Sequence, residues 1–130
     1  MYMLDTNACI DFLDARSEAI ALRIDANFGR LCISSITAGE LLLGSRNSSD
    51  PKADEKRINV FLAGVVVVDF DLGCARRYGE VIRSIGVRRK SFDRLIGVQA
   101  LEHGHTLVTR NEKDFADVPG LALENWSLPL

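Results

Sequence analysis

Short apolar runs of three or four residues alternate with longer stretches in which apolar residues recur at helical spacing, from one end of the chain to the other. That alternation predicts a parallel sheet covered on both faces by helices. Tyr2 to Asp5 is the first run, short and apolar as a central parallel strand should be. Helices are expected over Ala8 to Asp14 and over Glu18 to Asn27, where Ala19, Ile20, Leu22 and Ile24 make one apolar side and Gly29 supplies the stop. Leu31, Cys32 and Ile33 predict the next strand, and Thr37 opens a helix carrying Leu41, Leu42 and Leu43. Ser45 to Pro51 is polar and turn-rich, hence a loop. Lys52 to Leu62 predicts an exposed helix with Ile58, Phe61 and Leu62 turned inward, and the unbroken β-branched run Val65 to Val68 predicts a buried strand. Asp71 suits the N-cap of a helix in which Leu72, Ala75, Tyr78, Ile82 and Ile85 recur until Gly86. Phe92 to His103 is expected to be helical and closed by Gly104, Thr106 to Thr109 to be a strand, and Leu121 to Glu124 a short edge strand. The sum is a three-layer α/β/α domain over residues 1–130, with a central parallel sheet of four or five strands and no internal repeat or linker.

Composition narrows the class. At 130 residues, with 47% hydrophobic and 26% charged side chains, the chain has the make-up of a globular protein and can bury one core. No apolar run approaches the roughly 18 residues that span a bilayer, and no signal peptide precedes the first strand, so a cytoplasmic protein without membrane contact is expected. Cys9, Cys32 and Cys74 are widely spaced in apolar segments, which predicts buried reduced thiols and no disulfide framework or zinc-knuckle spacing. A net charge of −2 does not exclude nucleic acid, because phosphates are neutralised by a local basic stripe and an acidic pocket lowers the total without touching it.

Four acids carry the candidate chemistry. Asp5, Glu40, Asp93 and Asp114 each follow a predicted strand or open a predicted helix. Each has an ordinary explanation alone: Asp5 as an N-cap, Glu40 as the N3 partner of Thr37 in a capping box, Asp93 as a charge gaining roughly 0.3 to 1 kcal/mol from a helix dipole, Asp114 as a solvated turn residue. Their joint placement at the carboxyl side of strands, where open α/β sheets hold ligands, points instead to one pocket. Two carboxylates about 4 Å apart repel by roughly 4 kcal/mol at an effective dielectric near 20, more than a cap typically contributes. Such a cluster requires a bound cation or protonated acids. Oxygen ligands without histidine favour Mg²⁺, or Mn²⁺, over zinc. His103 and His105 suit a helix C-terminus and are left out of the chemistry. Arg88, Arg89 and Lys90, with Arg94, precede or follow Asp93 closely enough to hold an anionic backbone across the pocket. No Ser-His-Asp arrangement, phosphate-binding glycine loop or dinucleotide fingerprint is present.

At these residues the chain resembles the PIN-domain family, and within it the VapC-type toxins of bacterial toxin–antitoxin pairs. Met3-Leu4-Asp5-Thr6-Asn7 is similar to the family's first motif, Ile33 to Thr37 with Glu40-Leu41 to the second, and Phe92 to Ile96 to the third. Leu107 to Asn111, Asp114-Phe115 and Val118 to Leu121 are similar to the fourth. The likeness runs from Met3 to about Trp126, and four short motifs in order are far more specific than any one. It implies a metal-dependent endoribonuclease with Asp5, Glu40 and Asp93 as matching acids, and Thr6, Asn7 and Thr109 in support. Many relatives carry Asp where this chain has Asn111, a weaker ligand, so two assignments of the fourth role stay open here: Asn111 itself, or Asp114 acting directly or through water.

The resemblance further implies Mg²⁺ on Asp5, Asp93 and Asp114, in-line attack of water on a phosphodiester of single-stranded or looped RNA such as tRNA, and 3′-hydroxyl and 5′-phosphate products. A homodimer and a cognate VapB-type antitoxin are the implied partners. Two alternatives remain open at this point: a metal-dependent DNA or flap nuclease, and a non-catalytic receiver-like domain holding a regulatory Mg²⁺. The first is disfavoured by small size without a duplex-binding module. The second expects its phosphoacceptor Asp after a central strand and a Lys near a later strand end, a pattern this chain matches poorly.

Overall fold

The computed structural model describes residues 1–86 and 92–128. Arg88, Arg89 and Lys90 therefore lie outside the described residues. Five strands, β1 (Tyr2–Leu4), β2 (Leu31–Ser34), β3 (Val66–Val68), β4 (Thr106–Val108) and β5 (Leu123–Glu124), form a parallel sheet in the order β3-β2-β1-β4-β5. From central β1 the chain winds outward through β2 to β3, then returns to lay β4 and β5 on the other side. Where the winding reverses, the connections leaving β1 and β4 diverge and open a crevice at their carboxyl ends. Register puts Leu4 beside Val108, and the Asp5 amide extends the ladder by donating to the Val108 carbonyl at 3.0 Å. Asp5 and Thr109 thus leave adjacent strands side by side.

Helices α1 (Thr6–Leu13), α2 (Glu18–Ala26), α3 (Ser35–Arg46), α4 (Pro51–Gly64), α5 (Leu72–Ile85) and α6 (Phe92–His103) complete the layers. The two-residue period of the strands sorts side chains between them. Leu4, Ile33 and Val108 face a core with Ala8, Cys9, Ile20, Ile24, Leu41, Ile58, Phe61 and Trp126, while Met3, Cys32 and Leu107 face Ile96, Ala100 and Phe115. Covered on both sides, the strands can be apolar at every position, as read from the chain. All three cysteines are buried and unbridged. Among the described residues no helix is long and apolar enough to cross a membrane.

Several boundaries differ from expectation. Helix α3 starts at Ser35, not Thr37, because β2 runs on to Ser34, whose hydroxyl accepts from the Ile36 amide at 3.0 Å and caps the helix. Thr37 is already inside the first turn, so the capping box with Glu40 does not form. The same helix continues to Arg46, with the Ser45 hydroxyl donating to the Leu42 carbonyl at 2.8 Å, and shortens the expected loop. Asn27, not Gly29, ends α2, its side chain donating to the Arg23 carbonyl at 2.8 Å. Strand β3 is an edge: Val66 and Val67 are 54% and 39% exposed, because β2 is its one partner. A β-branched run specifies extended backbone but not position in the sheet.

Of the glycines, Gly97 of α6 is the most tightly approached: a methyl group there would stand 2.8 Å from the ring of buried Phe115. Gly97→Ala is expected to destabilise the protein by about 1–3 kcal/mol through overpacking, read as a lower urea midpoint at unchanged slope. An unaltered midpoint would show that the Phe115 ring yields freely.

Candidate active site

Asp5 is the first residue beyond β1 and the N-cap of α1, so one backbone turn sets it at the carboxyl end of the sheet beside Thr109. It is 1% exposed, and its Oδ1 accepts from the Ala8 amide at 2.7 Å. Burial pushes the carboxyl up to about 6; hydrogen bonds from the Thr109 hydroxyl and the Ala8 amide oppose this, the charge of Asp93 raises it further, and Arg110 lowers it. Asp93 lies in the first turn of α6, half-buried. Two acids far apart in sequence are therefore close enough in space to feel each other's charge.

Glu40 joins through a hydroxyl relay. Thr6 Oγ1 lies 2.7 Å from Glu40 Oε1 and 3.1 Å from Thr37 Oγ1. A carboxylate only accepts, so the single Thr6 proton goes to Glu40 and Thr37 donates to Thr6. Thr6 is 8% exposed and Thr37 fully buried, which locks the Glu40 carboxylate in orientation. Asn7 stands half-buried in the same turn as Thr6.

Beyond β4, buried Thr109 works in two directions: its hydroxyl donates to Asp5 and accepts from the Asn111 amide at 3.0 Å. The Asn111 carbonyl in turn accepts from the Asp114 amide at 3.0 Å, opening the 3-10 turn Glu112–Phe115. Phe115 anchors that turn, 1% exposed against α6. Asp114 is half-buried in it. The contact of Phe115 with Gly97 thus sets the spacing between the segment bearing Asp114 and the helix bearing Asp93.

Two residues of the frame escaped the sequence reading. Asp11 of α1 is 3% exposed and accepts from Arg110 Nη1 at 3.0 and 3.3 Å, with Arg16 at 3.9 Å. Their separation of 99 residues leaves no local signal, although an Asp among the apolar positions of a short helix is itself a hint of a buried partner. Arg94, expected to meet RNA, is 8% exposed and donates two 2.9 Å hydrogen bonds to the Asp117 carboxylate. That paired geometry suits a brace between α6 and the turn after Phe115. His103 and His105 stack 5.7 Å apart at the other end of α6, outside the crevice.

The donors these residues offer are oxygens: Asp5 and Asp93 feel each other's charge, and Glu40 is tied to Thr6 beside Asp5. A carboxyl that burial and a neighbouring acid hold near 6 is one a hard divalent cation stabilises in its charged form, so the set suits Mg²⁺ or Mn²⁺.

The model of the family described as PIN domain matches residues 2–121. The tRNA(fMet)-specific endonuclease VapC of Shigella flexneri is 33% identical over 129 residues, 97% of this chain and 98% of that protein. Ribonuclease VapC2 of Rickettsia felis is 33% identical over 131 residues, covering 97% and 98%. The crystal structure of DNA-bound VapBC from Salmonella typhimurium superposes with a TM-score of 0.89 at 33% identity, covering 96% of this chain and 97% of that one. VapBC2 from Rickettsia felis, bound to a DNA fragment from its promoter, gives 0.86 at 31%, covering 96% and 98%.

The raised carboxyl of Asp5 has a sign in stability. The folded protein keeps this proton up to about 6 whereas an ordinary aspartate releases it near 3.8, so stability falls as pH rises through that interval, by about 3 kcal/mol in total. Asp5→Asn retains an oxygen for the helix cap and removes the titration. In excess chelator, urea unfolding should show the variant more stable than wild type at pH 8 and the gap closing by pH 4. A gap independent of pH would mean that Asp5 ionises without penalty.

Proposed function

The chain belongs to the PIN domain family, and from that premise we propose that it is a divalent-metal-dependent endoribonuclease, the toxin of a toxin–antitoxin pair. What carries the reading is the buried Asp5 carboxylate, raised by burial and by the charge of Asp93 and held by the Thr109 hydroxyl. The relatives in Shigella and Rickettsia are named as a tRNA-specific endonuclease and a ribonuclease, and the solved structures from Salmonella and Rickettsia are VapBC complexes. We extend those roles to this chain: RNA, with tRNA as the leading class, as substrate, and a VapB-type antitoxin as partner. A homodimer within that assembly is part of the same proposal.

In this mechanism Asp5 and Asp93 would hold the cation, Mg²⁺ in preference to Mn²⁺, and Asp114 and Asn111 would contribute directly or through water. The chemistry such a cation would supply is a more acidic water and an offset to charge developing on the phosphate. Every other contribution comes from the chain. Thr109 donates to Asp5 and keeps its carboxylate turned to the crevice. Glu40, held by Thr6, presents an oriented carboxylate that accepts a proton from the attacking water. The crevice is an open edge, so a single-stranded or looped backbone can enter where a stiff duplex meets the rims.

Asp5→Asn and Asp93→Asn are each expected to lower cleavage of labelled RNA by at least about a hundredfold at saturating Mg²⁺ while unfolding remains cooperative. EDTA should abolish wild-type cleavage, and single-stranded DNA of the same sequence should survive. Wild-type turnover in either variant, or equal cleavage of DNA, would overturn the proposal. Thr6→Val, which strips Glu40 of its donor, should lower kcat with little change in KM. Neutralising Arg88, Arg89 and Lys90 together should reduce the salt dependence of RNA binding, by about 0.7 in the log–log slope for each phosphate no longer neutralised; an unchanged slope removes them from the interface.

A further inference from the structure

Among the described residues, Asp71, Cys74 and His103 offer a carboxylate oxygen, a thiol sulfur and an imidazole nitrogen that lie within 4.8 Å of one another. No step of the proposed nuclease reaction uses them. Their convergence is built by the fold: Asp71 caps α5 by accepting from the Cys74 amide at 3.0 Å, which sets Asp71 and Cys74 on one turn, and the end of α6 packs against that turn to bring in His103. Cys74 Sγ stands 3.5 Å from His103 Nε2. A tetrahedral zinc with sulfur near 2.3 Å and nitrogen near 2.0 Å spans a sulfur–nitrogen edge of about 3.5 Å, so the two donors already stand at ligating separation. Cys74 is fully buried while Asp71 and His103 are exposed, an arrangement in which a cation entering from solvent meets oxygen and nitrogen first and sulfur beneath them.

We propose that Asp71, Cys74 and His103 form a second metal site, for a borderline cation of the zinc class, with water in the fourth position. It is separate from the carboxylate crevice: His103 and Asp93 are ten residues apart on α6, about 15 Å along the helix. The donor chemistry separates the two sites as well. Sulfur and imidazole select zinc-like ions, whereas the oxygen set of the crevice suits Mg²⁺. On binding, the Cys74 S–H bond breaks, sulfur bonds to the metal and the proton passes to buffer. Without metal the thiol stays protonated, since burial pushes it up, and it pairs with the imidazole. A coordinated thiol is deprotonated outright. A metal here clamps the start of α5 to the end of α6, two helices otherwise joined by packing and the Arg77–Glu102 ion pair at 3.5 Å.

The test titrates chelator-stripped full-length protein with Co²⁺, in excess Mg²⁺ to occupy the crevice. One equivalent should bind with a near-ultraviolet thiolate-to-cobalt band and the intense visible bands of tetrahedral cobalt. Cys74→Ser should abolish the near-ultraviolet band, and His103→Gln, a surface change that leaves the core intact, should weaken binding at least about tenfold. Asp5→Asn should leave the band in place, and Mg²⁺-dependent RNA cleavage by Cys74→Ser should match wild type, so the outcome is independent of the nuclease proposal. Absence of the band, its survival in Cys74→Ser, undiminished affinity in His103→Gln or its loss in Asp5→Asn would each overturn the site and reduce the cluster to a thiol–imidazole hydrogen bond. If Cys74→Ser does not fold, His103→Gln decides.

Discussion

The site is governed by a single tension: the Asp5 carboxylate is taken out of water, which disfavours its charge, and the charge of Asp93 adds to that cost. The outcome is a buried carboxyl lifted to about 6. Loss of water outweighs what the Thr109 and Ala8 hydrogen bonds return to the charged form, so the arrangement persists because the surrounding fold over-determines it. A parallel sheet with its winding reversed beside β1 is well suited to do so. It delivers the ends of β1 and β4 to one place and fixes their register by main-chain hydrogen bonds, before any side chain contributes.

Around that tension the protein builds neutral hydroxyls and distant ion pairs. Thr109 donates to Asp5 and ties down Asn111, and Thr6 with Thr37 orients Glu40. Hydroxyls suit the task, since each gives a proton to a carboxylate without adding charge of its own. Charge is balanced farther out, where Arg110 holds Asp11 and Arg94 holds Asp117. These braces lock α1 to the end of β4 and α6 to the segment after Phe115. The close approach of Gly97 to Phe115 adds a steric stop to the same joint.

Particular residues show why local pattern reaches some features and misses others. Asp71 as the cap of α5 and Gly86 at its end were legible, because caps and left-handed stops act within a few residues; Gly86 indeed has φ of +85°. The choice between Ser34 and Thr37 as the start of α3 was not, because both can cap and the decision lies with the pairing of Ser34 to Val68 on a neighbouring strand. Glu40 turned on that choice. Three residues' difference in the cap moved it from a capping partner to a partner of Thr6. The exposed face of β3 and the commitment of Arg94 to Asp117 were likewise decided by what lies next to them in space.

The order of apolar runs and helical periods is written along the chain because burial acts on each segment's own residues: it dictated a parallel α/β sheet, the elements between which the acids stand, and motifs ordered like those of PIN domains. Convergence is a property of the packed molecule alone. That Asp5 shares its field with Asp93, that Thr109 serves two masters, and that Asp71, Cys74 and His103 meet at the far end of α6 all depend on register and crossing of elements. Side chains tens of residues apart leave no periodicity to read, since forces falling off over a few ångströms act only after the fold has brought them together.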